Sequence, residues 1–165
     1  RDRTVVDLLD PEYAVFRPFP VGRLDKDTEG LLLLTNDGKL AHRLLSPKKN
    51  VPKTYEADVD GIVTEEDGEA FARGVTLDDG YVTLPAKLAI LESGPRSRVR
   101  LTIVEGKFHQ VKRMFAARGK RVVFLKRISM GGLKLDPSLP PGEVRELTEE
   151  EIGILTNGKD TAGTG

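Results

Sequence analysis

The chain has 165 residues and a formal net charge of zero, from 26 basic and 26 acidic side chains, which fits one domain with a sizeable core. It contains no cysteine and two histidines, so disulfide frameworks, thiolate zinc sites and cysteine nucleophiles are excluded, and a histidine-based metal site is not expected. No run approaches the roughly 20 apolar residues of a membrane span and no secretory leader opens the chain, which predicts a cytoplasmic protein.

Charge is distributed unevenly along the chain. Residues 56–79 contain nine acidic side chains and one basic one, whereas residues 105–127 contain eight basic side chains and one acidic one. A long run of one sign is typical of a surface that meets a polyanion, and nucleic acid is the natural candidate. The alternative is a solvated helix face, which is the common meaning of a charged run.

Periodicity and turn signals divide the first half of the chain into short elements. The apolar run 31–35 lies between turn residues and predicts a buried central strand. Asp37 is placed to cap a helix over 39–45. Thr64 and Asp67 form a capping-box pattern for the next helix. The other predictions are a short helix over 4–9, an extended segment over 15–22, a half-buried strand over 53–60 and an end of the capping-box helix at Arg73.

The second half is predicted to alternate strands with two helices. Residues 108–118 form the clearest amphipathic helix, with His109, Lys112 and Arg113 on one face. The other predictions are strands at 75–77, 81–84, 87–91, 98–104, 122–125 and 133–135, a hairpin turn at 78–80, a helix from the Thr148–Glu151 capping box to about Leu155, and a disordered tail at 157–165. Hairpins without a repeating βαβ period predict an α+β domain, with helices flanking a mixed, mainly antiparallel central sheet.

The segment GRLDKDTEGLLLLTNDG, residues 22–38, places Asp25 just before the apolar run. Serine-triad, phosphate-loop and dinucleotide motifs are missing from the sequence, which leaves an acid, a tyrosine and a base as candidate chemistry. These are Asp25, Tyr55 and Lys112. A partly buried carboxylate needs a cationic partner to stay ionised, and Lys112 could supply it. Tyr55 could stack on a base drawn out of its helix.

Each of these residues also has an ordinary structural interpretation. Asp25 could cap a turn, and Tyr55 could be core packing on its strand. Lys112 and Arg113 could belong to a solvated helix face, and His109 could be a surface or core histidine. The residues alone therefore predict an anion-binding α+β domain with a candidate carboxylate, and they leave the reaction open.

Four segments of the chain resemble the motifs of the pseudouridine synthases, in order and at ordinary intervals between Val21 and Ile152. They are GRLDKDTEGLLLLTNDGKLAHRLLSP, KTYEADV, EGKFHQVKRMFAARGKRVVFLKRISMGGL and LPPGEVRELTEEEI. The stretch EGKFHQVKRMFAARG is similar to the corresponding motif in the branch of the family called ribosomal small subunit pseudouridine synthase A. The resemblance implies the pseudouridine synthase fold, with two small subdomains and the active-site cleft between them.

The resemblance also implies a reaction and a domain organisation. Uridine in RNA would be detached at its N1 glycosidic bond, rotated and rejoined through C5, without a metal or cofactor. The chain begins at Arg1 without the Lys-Pro-Gly type motif and the S4 RNA-binding domain usual in this branch. We therefore expect a catalytic domain over 1–156 whose N-terminal start is missing.

Matched to the family motifs, individual residues acquire expected roles. Asp25 would be the catalytic aspartate, Tyr55 would stack on the flipped uracil and Lys112 would be the basic partner of Asp25. Residues expected to bind the substrate are Leu125 under the base, Arg23 on phosphate, and Lys53, Lys107, His109, Gln110 and Arg113 along the RNA.

The expected substrate is one uridine of 16S ribosomal RNA, free or in a small-subunit assembly intermediate, bound by a monomer. Three alternatives stay open. The domain could be a non-catalytic RNA-binding or ribosome-assembly module, it could act on 23S ribosomal RNA, or it could be an RNA glycosidase that uses Asp25.

Overall fold

The computed structural model of the protein describes residues 3–156. Its helices are α1 (Pro11–Ala14), α2 (Gly38–Leu45), α3 (Glu65–Arg73), α4 (Gln110–Ala117) and α5 (Glu149–Thr156), with 3-10 turns at Val5–Leu8 and Pro47–Lys49. Its strands are β1 (Phe19–Pro20), β2 (Glu29–Gly30), β3 (Leu34–Thr35), β4 (Lys53–Asp60), β5 (Lys87–Glu92), β6 (Arg96–Ile103), β7 (Arg121–Met130) and β8 (Leu133–Lys134). In this part of the chain no helix is long and apolar enough to cross a membrane.

A six-stranded sheet in the order β2-β7-β4-β6-β5, with β8 on β7, forms the centre of the fold. Only β2 runs parallel to its neighbour, and the other pairs are antiparallel. Gly30 allows β2 to pair with β7, because its φ is +111° and a Cβ at this position would overlap the Arg127 carbonyl. The predicted α+β fold with a mixed, mainly antiparallel sheet is confirmed.

Two hydrophobic clusters stabilise the fold. The first lies between the sheet and helices α3 and α4, where Phe71 and Phe115 meet edge to face with ring centroids 5.0 Å apart. The second contains Val21, Leu33 and Leu44, together with residues of β7, β8 and α5. The strand β7 contributes to both clusters, through Leu125 and Met130, and so connects them.

Several elements begin and end close to their predicted bounds. Asp37 Oδ1 accepts hydrogen bonds from the N–H groups of Lys39 and Leu40 at the start of α2. The capping box of Thr64 and Asp67 opens α3 as predicted. Helix α4 begins two residues later than predicted, because His109 adopts a left-handed conformation with φ of 48° that cannot continue a helix.

The apolar run 31–35 does not form the predicted central strand. The Leu31 N–H still donates to the Arg127 carbonyl, at 2.8 Å, and the chain then leaves the central sheet. Only Leu34–Thr35 is a strand, and it pairs with β1 in a separate two-stranded sheet. The run is apolar because Leu31 and Leu33 pack in the second cluster.

Two further predictions have a different outcome. The strands expected at 75–77 and 81–84 reduce to one bridge between Thr76 and Val82, since the Thr83 hydroxyl takes the Val75 N–H that a longer ladder would use. The tail predicted at 157–165 lies outside the described residues.

Glu151 provides a test of the C-terminal capping box. Its carboxylate accepts two bonds of 2.8 Å from Arg145 and one of 2.9 Å from the Thr148 N–H. The Arg145 hydrogen bond is the largest cause that lowers the pKa of Glu151, from 4.5 to about 2. A lowered folded-state pKa stabilises the fold above the unfolded pKa, and this stabilisation is lost as the pH falls through the folded value.

We therefore expect Glu151→Gln to lower the melting temperature at neutral pH. The difference between variant and wild type is expected to shrink as the pH falls below 4.5 toward 2. Calorimetry of both proteins across this range measures it, and a difference that does not change with pH would contradict the assignment.

Candidate active site

A pocket of about 120 Å³ lies on one face of the sheet, beside the start of α4. It draws its lining from five stretches of the chain: Gly22–Thr28, the end of α2, the first residues of β4, the segment 103–111 and the middle of β7. The lining residues are Gly22, Arg23, Leu24, Asp25, Thr28, Leu45, Lys53, Tyr55, Ile103, Gly106, Lys107, His109, Gln110, Val111, Leu125 and Arg127.

Asp25 lies in this pocket with 28% of its side chain exposed. The turn that it begins is closed by its backbone carbonyl, which accepts the Thr28 N–H at 2.9 Å. No described backbone N–H donates to its carboxylate, so the geometry does not favour a turn-capping role for the side chain. Among the described residues, His109 has its imidazole within 4 Å of this carboxylate, with Nε2 3.6 Å from Asp25 Oδ1.

The sequence predicted that Lys112 pairs with Asp25, but in the structure it pairs with Asp27. Its Nζ donates to both carboxylate oxygens of Asp27, at 2.6 and 2.8 Å. This hydrogen bond is the main cause that lowers the pKa of Asp27. The two carboxylates are two residues apart in the sequence, and the turn after Asp25 brings the second one to α4. Lys112 therefore anchors the segment that carries Asp25.

Tyr55 and Leu125 form the apolar part of the pocket. Tyr55 is half-buried, packs against the first cluster and also lines the pocket, so core packing is confirmed and stacking on a base stays a prediction. Leu125 is buried on the neighbouring strand, where it pairs with Ala57. The family resemblance placed both residues at the target base, and the structure brings them together with Asp25 in one pocket.

A buried network holds the loop before α4. Glu105 accepts hydrogen bonds from the Tyr81 hydroxyl, from the Leu84 N–H at 2.7 Å and from Gln110 Nε2 at 3.0 Å. Gln110 Oε1 in turn accepts the Lys107 N–H at 2.9 Å. Gln110 was expected to contact RNA, but its side chain is buried and its amide is used inside the protein. It positions the loop that brings Lys107 and His109 to the pocket.

Much of the basic run 105–127 is neutralised by carboxylates. Arg113 pairs with Asp78 and Asp79 at 2.8 and 2.9 Å, so the predicted contact of Arg113 with RNA is not supported. Two more bases, Arg118 and Lys120, bind one buried carboxylate. With Lys112, four of the eight bases are in ion pairs. The predicted anion-binding face is therefore smaller than the charge count implied.

Two cations lie inside the pocket instead. Lys53 on β4 is 5% exposed and Arg127 on β7 is 3% exposed, and both line the pocket. Burial, and then the nearby charge of Arg127, lower the pKa of Lys53. Arg127 was counted in the sequence only as part of the basic run. The signal that could have found it is the alternation of β7, which turns Leu125 and Arg127 to the same face.

The chain was compared with known families and proteins. The sequence pattern of the family described as RNA pseudouridylate synthase matches residues 1–117. A Bacillus subtilis (strain 168) protein named uncharacterized RNA pseudouridine synthase YtzG is 60% identical, over 94% of this chain and 65% of that protein. Ribosomal small subunit pseudouridine synthase A of Escherichia coli (strain K12) is 47% identical, over 92% of this chain and 64% of that protein. The chain thus spans slightly less than two thirds of these relatives.

Solved structures agree with the sequence comparisons. The crystal structure of a pseudouridylate synthase, 46% identical, superposes with a TM-score of 0.86 over 92% of this chain and 65% of that one. Human RNA pseudouridylate synthase domain containing 1, with 19% identity and a TM-score of 0.54, shares the fold alone. The match of the family pattern, together with the identity to these relatives, shows that the chain belongs to the RNA pseudouridylate synthase family.

Proposed function

We propose that the protein converts one uridine of 16S ribosomal RNA into pseudouridine, with Asp25 as the catalytic group. The observation that carries the proposal is the position of Asp25 in a pocket that also contains an aromatic ring and a buried leucine. The 47% identity to an enzyme named for the small ribosomal subunit supports the choice of 16S RNA. The protein acts as a cytoplasmic monomer, on free RNA or on an assembly intermediate.

The target uridine leaves its stack and enters the pocket, because the reacting atoms are inaccessible inside a helix. Tyr55 stacks on the uracil and Leu125 contacts its other side. Asp25 attacks or deprotonates the ribose and the N1–C1′ bond breaks. As the C5–C1′ bond forms, Asp25 is displaced from the ribose or returns the proton that it took. C5 then loses its proton and N1 gains one. Substrate and product are isomers, so the reaction consumes no oxidant or reductant.

Exposed cations at the mouth of the pocket bind the flanking phosphates. Arg23 and Lys107 are exposed and line the pocket, and His109, which lies 3.6 Å from Asp25, is a further RNA contact. Lys112 orients the catalytic segment through Asp27. Arg113 and Gln110 hold the surrounding loops, so phosphate binding depends on few side chains.

The dependence of RNA affinity on salt concentration distinguishes cations that contact phosphates from cations that pair with carboxylates. Each phosphate contact that is lost reduces the slope of log K against log salt by roughly 0.7 to 0.9. We expect Lys107→Gln to reduce the slope by this amount, whereas Arg113→Gln leaves it unchanged because Arg113 already binds two aspartates. Fluorescence titrations with a 16S fragment at several salt concentrations measure both. An equal reduction of the slope in the two variants would show that Arg113 contacts the RNA.

Mapping of pseudouridine in cells that lack the protein tests the proposed function. We expect one position of 16S RNA to lose pseudouridine and to regain it when the intact protein is restored. A lost position in 23S RNA would reassign the substrate to the large subunit. Normal modification of both RNAs would favour the non-catalytic module, and abasic sites that appear only when the intact protein is restored would favour a glycosidase.

A further inference from the structure

The lining of the pocket includes two buried cations that have no role in the proposed chemistry. Lys53 and Arg127 are both more than nine-tenths buried. Lys53 Nζ has one described hydrogen-bond acceptor, the Val51 carbonyl, at 3.4 Å. Neither side chain has a carboxylate within ion-pair distance among residues 3–156. Buried charges are normally paired, so two neighbouring unpaired cations indicate a site for an electron-rich ligand.

The guanidinium of Arg127, a residue that lines the pocket, keeps one donor unused among the described residues. Its Nε donates to the Leu31 carbonyl at 2.9 Å, which fixes the side chain against the chain segment after β2. Its Nη2 is buried and has no hydrogen-bond partner in the described part of the chain. Thr28 Oγ1 is the other buried side-chain atom without a partner there. Both residues line the pocket that contains Asp25.

We propose that Arg127 and Lys53 bind a carbonyl oxygen of the flipped uracil and stabilise the negative charge that the ring acquires when its bond to C1′ breaks. This inference rests on the proposed function of the pocket. The electron pair of the N1–C1′ bond passes to the uracil ring, where it is delocalised onto the O2 and O4 oxygens. Fixed donors at an oxygen where charge develops lower the barrier of such a step.

The depth of these cations favours the base over a phosphate as their ligand. Arg23 and Lys107, which are exposed, are available to phosphates at the mouth. Arg127 and Lys53 lie on the strands that carry Leu125 and Tyr55, the two residues that frame a flat ring. A nucleotide that places its uracil between those side chains directs its ring oxygens toward the buried donors and leaves its phosphates outside.

The test combines a protein variant with altered substrates. Loss of one donor to a developing oxyanion reduces kcat by about 10²-fold or more. We expect Arg127→Gln to reduce kcat on uridine RNA by about this factor, while Kd for the RNA changes little. Arg145→Gln is the matched control and is expected to leave kcat unchanged. It removes a partly exposed arginine that binds Asp136 and Glu151 outside the pocket.

RNAs with 2-thiouridine or 4-thiouridine at the target identify the oxygen, because sulfur is a weak acceptor. We expect wild-type turnover to fall with one of the two RNAs, and that loss to disappear in Arg127→Gln, where the donor is already missing. Arg127→Lys restores part of the turnover on uridine RNA. A methylphosphonate at the target nucleotide, which removes a phosphate charge, is expected to act equally on wild type and variant.

The outcomes separate this inference from the proposed function. If the wild-type protein does not isomerise uridine, the proposed function itself fails. If it does, wild-type kcat in Arg127→Gln, or equal thio effects in wild type and variant, would overturn the inference. The inference would also be overturned if the methylphosphonate, and not a thio substitution, acted differently on wild type and Arg127→Gln. That result would assign the two cations to phosphate. Urea unfolding of each variant controls for loss of the fold, and the thio effects on the wild type need no variant.

Discussion

Replacement of Asp25 by asparagine is expected to abolish pseudouridine formation while the fold and RNA binding persist. The amide keeps the size of the side chain and removes its charge and basicity. Loss of a positioned acid or base costs 10²–10⁴ in rate, and we expect a loss of about 10³-fold or more. Because the carboxylate accepts no described backbone hydrogen bond, the variant loses little stability. Release of tritium from RNA labelled at C5 of uridine measures the turnover.

Asp60→Asn is the matched control for this experiment. Asp60 is exposed at the far end of β4 and lies outside the pocket, so the same change of charge is expected to leave tritium release unaltered. If Asp25→Asn releases tritium at a rate within tenfold of wild type, Asp25 is not a catalytic residue and its role is structural. A parallel loss of RNA affinity in Asp25→Asn alone would indicate a binding defect.

The largest expected effect on stability is at Asp67, in the first turn of α3. This side chain is fully buried and accepts hydrogen bonds from Arg118 at 2.8 Å, Lys120 at 3.0 Å and the Thr64 N–H at 3.0 Å. Burial raises the pKa of Asp67, but these three donors outweigh it and hold the pKa below its ordinary value. Removal of one partner from a buried ion pair is strongly destabilising, because the remaining charge loses its counterion.

We therefore expect Asp67→Ala to lower the free energy of unfolding by about 3 kcal/mol, measured by urea denaturation. This is a large share of the roughly 5–15 kcal/mol that stabilises a typical domain. Glu66→Ala is the matched control, because Glu66 is exposed in the same turn, and it is expected to cost less than about 1 kcal/mol. Similar losses in the two variants would show that helix charge, and not the buried network, governs the effect.

The pairing of charges was the part of the site that sequence could not resolve. The family motifs identified the pocket residues Asp25, Tyr55 and Leu125, but a helical face cannot show which of two nearby aspartates meets Lys112. The one-signed run 105–127 also implied an open anion-binding face. Carboxylates distant in sequence, such as Asp67 and the pair at 78–79, neutralise much of it, because the fold brings the acidic segment against the basic one.

The fold was predictable where local signals were complete. Capping residues and alternation located α2, α3 and β4 closely, since their bonds or their face periodicity are encoded within a few residues. The apolar run 31–35 was misassigned because a local pattern cannot tell burial in a sheet from burial in an irregular segment. The alternation of β7 places Arg127 on the face of Leu125, but its burial depends on the contact of β7 with Leu31 and Gly30, which the sequence alone does not show.

Nucleoside analysis of 16S RNA incubated with the purified, intact protein tests the central claim most directly. We expect liquid chromatography and mass spectrometry to show one uridine converted into pseudouridine, with no free uracil and no change in mass, and no conversion by Asp25→Asn. RNA that is bound by the wild-type protein but recovered with every uridine unchanged, or recovered with uracil released, would contradict the assignment of this pocket to uridine isomerisation.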